Sequence, residues 1–147
     1  MLSIVASQIV YPELILRSSV SIANSLITSV KYLITISKED IDLRNMLLTN
    51  DIIEDINVIK TFIHEKQDKN TSDTVKLCID NLSKTLEDLE KHINNITNKL
   101  ENHKKLWFNY FRSYDIIHEK AIIPLRIRQM KHRFDLLVRI TTSLHQI

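Results

Sequence analysis

Glycine is absent from all 147 residues, proline occurs twice and cysteine once. Sheet-rich and loop-rich folds use glycine in their turns, so its absence disfavours both. It also excludes every glycine-rich phosphate loop and dinucleotide fingerprint. Cys78 has no second cysteine to bond with, which points to a reducing compartment. No basic stretch precedes an apolar run near residue 1, so a secretory signal is not expected, and Leu2 excludes N-myristoylation. The expected location is cytoplasmic, with peripheral membrane association as the open alternative.

What is present is Leu, Ile, Lys, Glu and Asn, the composition of helices with polar outer faces. A chain of this length buries roughly two thirds of its unfolded surface without a covalent staple. The size predicts one domain over residues 1–147, with an arm at 1–12 and a helical bundle at 13–145. The formal charge of +2 hides an asymmetry. Residues 1–101 hold 11 Lys/Arg against 15 Asp/Glu, a net of −4, and residues 102–147 hold 9 against 3, a net of +6.

The strongest pattern is "VKLCIDNLSKTLEDLEKHINNITNKLENHKKLWFNYF" at 75–111. Val75, Ile79, Leu82, Leu86, Leu89, Ile93, Ile96, Leu100 and then His103, Trp107 and Tyr110 step by four and three. That spacing predicts a helix over about 73–112 with one narrow apolar seam. Thr71 or Ser72 is its expected N-cap.

Three other helices are expected beside it. The first follows Pro12 and carries Leu16, Val20, Ala23, Ile27, Val30 and Ile34, widened by Ile15, Ile22, Leu26 and Leu33. Within its apolar run of 14–36 stand Arg17 and Lys31, and the uncharged "SSVSIANSLITSV" is too short for an ordinary membrane span. The second covers 38–65, with Ser37 as cap, a core row of Ile41, Leu48, Ile52, Ile56, Ile59 and Ile63, and a break at "TND", 49–51. The last is opened or kinked by Pro124 and carries Ile127, Met130, Phe134, Leu137, Thr141 and Leu144. Residues 116–123 read as a short extra helix or as the tail of a kinked one. The fold expected is all-α, a mainly antiparallel four-helix bundle with a long third helix.

No constellation for catalysis stands out, so the chain is not read as an enzyme and no cofactor is expected. The six histidines lack ligand spacing; His92 and His103 share a face but lie roughly 16 Å apart along a helix. Cys78 has no recognisable activating base. Three sequons, "NTS", "NLS" and "NIT", are expected to be chance matches in an Asn-rich chain.

Two surfaces remain. The basic segment "RIRQMKHRF" holds Arg126, Arg128, Lys131 and Arg133, with Lys104 and Lys105 near the end of the long helix. Arg126, Arg133 and, more loosely, Lys131 lie off the seam, while Arg128 takes another side. If the two helices are antiparallel neighbours, the two basic groups converge. The readings, in order of preference, are a solvated face, an anionic-lipid patch and a nucleic-acid surface. The second surface is the aromatic end Trp107, Phe108, Tyr110 and Phe111, which a helix longer than its neighbours leaves uncovered for a partner or a second copy.

The order of a broadly apolar first helix, an acidic second, a long third "LSKTLEDLEKHINNITNKL", an aromatic "LWFNYF" and a basic closing "RQMKHRFDLLVRITTSL" resembles the HeLo-type four-helix bundle. That domain type stands at the N-terminus of mixed-lineage-kinase-domain-like pseudokinases and their fungal and plant relatives. The resemblance covers most of 13–145. It implies an oligomerising, membrane-associating cell-death or adaptor module, with Lys104, Lys105, Arg126, Arg128, Lys131, Arg133 and the helix 14–36 as its working parts. Pro124 departs from that pattern, and no kinase or switch segment follows. The alternative is a small structural or interaction protein that self-associates through the long helix, without a lipid role.

Overall fold

A computed structural model describes residues 17–67, 71–104 and 116–145. They are all helical apart from short connections, and no strand occurs among them. The helices are α1 Ser19–Ile36, α2 Ile41–Thr49, α3 Ile52–Gln67, α4 Asp73–Lys104 and α5 Ile117–His145. The expected arm at 1–12, residues 68–70 and the expected aromatic end at 107–111 lie outside the described residues.

Each start and stop has a local cause. Ser18 caps α1 by accepting from the Ser21 N–H at 3.1 Å. The second stretch is capped by Asp40, whose Oδ1 accepts from the Leu43 N–H, and not by Ser37. Ser37 instead closes α1, its N–H donating to the Leu33 carbonyl at 3.0 Å. Ser72 caps α4 through the Val75 N–H.

The break expected at 49–51 is present. Asp51 sits at φ 50, a left-handed conformation that Asp tolerates better than most residues. The Asn50 side chain donates back to the Met46 carbonyl at 2.7 Å and helps to stop α2. This break corrects the expected core row. Ile41 and Leu48 are 67% and 52% exposed, and Leu43 and Leu47 are buried in their place. Counting back from Ile52 in helical steps assumes one continuous helix. The turn at 50–51 resets the phase, so α2 presents a different face.

Elsewhere the apolar periodicity holds. Val75, Ile79, Leu82, Leu86, Leu89, Ile93 and Ile96 of α4 are all buried. They meet Ile22, Ala23, Leu26, Ile27, Val30 and Leu33 of α1 in one core. Each fully buried Leu or Ile contributes about 1.5–3 kcal/mol of transfer free energy. Residues 117–123 are the first two turns of α5 itself, and Pro124 lies inside that helix.

Cross-helix contacts give the directions. Ser19 meets Ser83 and Tyr32 meets Glu101, so α1 and α4 run parallel. Asp55 meets Lys131 and Phe62 packs edge-on against Phe134, with ring centroids 5.5 Å apart, so α3 and α5 also run parallel. Arg133 reaches Asn81 and Lys99 reaches Glu119, so α4 and α5 are antiparallel. The principal contacts are α4 with α5, α1 with α4 and α1 with α3. Successive arms thus alternate in direction, while the α1–α4 and α3–α5 contacts are between parallel helices. The reason is that α3 and α4, though consecutive, are not a principal contact pair.

Candidate functional site

The basic segment of α5 is where sequence and structure differ most. Arg126 donates to the Gln129 Oε1 one turn on, at 3.1 Å, and its Nε is buried without a partner. Lys131 Nζ lies 3.3 Å from the Asp55 carboxylate of α3. Arg133 donates to the Asn81 carbonyl at 3.0 Å and to the Thr85 hydroxyl on α4. Thr85 is itself buried and donates to the same carbonyl. These three cations flank the seam, and two of them tie α5 to its neighbours while their stems cover apolar surface. Arg128 alone of the four lies on the outer face, exposed and without a partner among the described residues.

The side chain of Lys104 and all of Lys105 lie outside the described residues. The backbone register still bears on their convergence with 126–133. Since Lys99 lies level with Glu119 and Thr85 with Arg133, residues 126–133 sit roughly 18–28 Å from the end of α4. The C-terminal end of α4 and the segment 126–133 are therefore set apart along the axis; the expected convergence with Lys104 and Lys105 falls on side chains outside the described residues. The candidate contact residues Trp107, Phe108, Tyr110 and Phe111 likewise lie outside the described residues.

Other polar groups also bridge helices. Arg17 pairs with Glu90 at 3.0 Å, and Glu90 is 8% exposed with its second oxygen unpartnered. Lys120 pairs at 2.8 Å with Asp40, the residue that caps α2. The hydrogen bond from Lys99 holds the Glu119 carboxyl below the usual carboxylate range, against an opposing push from burial. A hydrogen bond to Glu101 raises the Tyr32 phenol above its ordinary value.

Two features of the outer surface escaped sequence reading. Ile117, Leu125 and Leu136 of α5 are 54%, 57% and 45% exposed. They are eight and eleven residues apart, so they share one helix face with Arg128, His132 and Arg139. A groove of about 340 Å³ runs along α3, lined by Glu54, Asn57, Val58, Thr61, Phe62 and Glu65. The available signal was apolar residues at helical spacing but out of phase with the seam. Seam-first reading discards them as scatter.

Among the described residues one helix, α1, is long and apolar enough to cross a membrane by length and composition. Its apolar side chains Ile22, Leu26, Val30 and Leu33 are those buried in the core, and its outer face carries Ser21, Asn24, Thr28, Lys31 and Thr35. Among the described residues no group of three His, Cys, Asp or Glu side chains is placed to hold a metal ion. Asn81 and Asn95 of two sequons stand within α4, and the Ser83 and Thr97 hydroxyls bond to carbonyls one turn back.

No family model matches the chain, and no solved structure matches it. A stretch of 91 residues, 60% of the chain, is 34% identical to an uncharacterized protein of Acanthamoeba polyphaga mimivirus. The match covers 44% of that protein, so the chain spans less than half the length of this curated relative.

Proposed function

We propose that the chain is a non-enzymatic four-helix-bundle module that works by protein contact, foremost with copies of itself. Its four arms are α1, the broken α2–α3 arm, α4 and α5. The observation that carries this reading is the outer face of α5. Ile117, Leu125 and Leu136 stand about half exposed on one stripe, although the core has ample apolar residues of its own. Apolar residues aligned on one face mark an interaction surface more often than scattered ones do. Meanwhile Lys131 and Arg133 are engaged in holding the arms together, which removes them from the surface charge available to a ligand.

Sedimentation velocity on the 147-residue chain from about 1 to 100 µM tests the reading. Concentration-dependent species are expected, and Leu125→Glu with Leu136→Glu should shift them toward monomer without loss of helix content. A strict monomer in complex with nothing over that range would remove self-association.

The membrane-associating, cell-death-type reading is kept as the second one, since Arg128 and Arg139 are exposed beside Leu125 and Leu136. It places the protein in the cytoplasm and at anionic bilayers. Vesicle flotation separates the two. Binding to anionic but not neutral vesicles, weakened by Arg128→Ser with Arg139→Ser, supports the lipid role. Flotation with neither vesicle leaves protein contact alone.

A further inference from the structure

We infer that the outer face of α5 docks into the α3 groove of a second copy, side by side and at the same height. This rests on the self-association part of the proposed function and gives it an interface. The groove is bounded by Glu54 and Glu65 with Val58 and Phe62 between them. The α5 stripe is bounded by Arg128 and Arg139 with His132 and Leu136 between them. Glu54, Glu65, Arg128 and Arg139 are all exposed, and none has a partner among the described residues.

The two acids are eleven positions apart, and so are the two arginines. On a helix rising 1.5 Å per residue each pair is separated by about 16 Å. One register therefore satisfies both ends. Placing Arg128 opposite Glu54 puts Arg139 opposite Glu65, His132 opposite Val58 and Leu136 opposite Phe62. The acid on this stretch of α5, Asp135, then falls opposite Thr61 and not opposite another acid.

The register has a second property. It pairs each residue of α3 with the residue 74 positions later in α5. Within one chain Asp55 lies level with Lys131 and Phe62 with Phe134, offsets of 76 and 72. The intermolecular register thus matches the heights at which these helices already stand. Since α3 and α5 also run parallel within the chain, the neighbouring copy needs neither inversion nor axial shift. The two surfaces are different, so the contact is head-to-tail, and head-to-tail contacts without rise close into a ring when the rotation permits.

Charge reversal tests the pairing. The wild-type chain, Glu54→Lys/Glu65→Lys, Arg128→Glu/Arg139→Glu and the quadruple swap are compared by sedimentation equilibrium at low and high salt. Circular dichroism checks that each remains helical. Each double reversal should weaken association at least about tenfold, because like charges then face each other. The quadruple swap should recover most of that loss, and high salt should narrow the differences. If the wild type associates and the double reversals do not weaken it, or the quadruple swap stays as weak as the doubles, this pairing is wrong while self-association stands. If the wild type is monomeric throughout, self-association fails and the pairing with it.

Discussion

At the scale of single residues, Glu119 is the group whose charge the fold most clearly uses. Its carboxyl is 14% exposed and takes a hydrogen bond from Lys99, which lowers its pKa. A carboxyl lowered in the folded state adds stability above its unfolded value, near about 4.3, and that stability is lost as pH falls through the lower folded value. Glu119→Gln should therefore lower Tm at pH 7 and flatten the loss of Tm between pH 5 and pH 3. Thermal melts across that range check it; parallel acid limbs in both proteins would disprove the role. Long-range pairings of this kind were not legible in the sequence, since Lys99 and Glu119 stand off the seams of two different helices. Arg133 makes the same point. Its position off the seam was readable, but the Asn81 carbonyl that receives it became visible only once α4 and α5 were placed together.

At the scale of elements, periodicity identified four helical arms because each carries an apolar row that must be covered. The seam of α4 was readable residue by residue over 75–96, since nothing interrupts it. The row through α2 was misread because one residue at φ 50 separates two helices of different phase. Pro124 is the other irregular element. It removes the backbone donor that would bond to the Lys120 carbonyl, and its ring crowds that carbonyl. The helix continues because its first turns are fastened sideways. Ile116 and Ile123 are buried, Glu119 is held by Lys99 and Lys120 by Asp40. Pro124→Ala should thus stabilise the chain by about 1–3 kcal/mol, read from urea melts as a higher midpoint at unchanged slope. No gain would mean that the surrounding packing already depends on the proline ring.

At the scale of the whole molecule, the outer faces of α3 and α5 lie mostly outside the core, Phe62 reaching both, so core-seeking sequence analysis passes over them. Their spacing was nevertheless written in the chain; what was missing was the parallel alignment that sets them at equal height. That same alignment governs how the chain finds its fold. Because α3 and α4 do not form a principal pair, their closeness in sequence brings little contact with it. The productive local event is the docking of α5 onto α4. The α1–α4 face must instead be closed across some sixty-four residues, as between Ser19 and Ser83. Closing so long a loop carries an entropic cost that precedes its reward. In kinetic terms the expected order is that α4 and α5 form the nucleus and the α1–α4 face closes late. Substitutions such as Met130→Ala should slow refolding, while Leu26→Ala should chiefly speed unfolding. Stopped-flow chevrons would show this as φ near 0.5–0.8 at Met130 and below about 0.3 at Leu26. The reverse pattern would make α1 the template on which the long helix assembles.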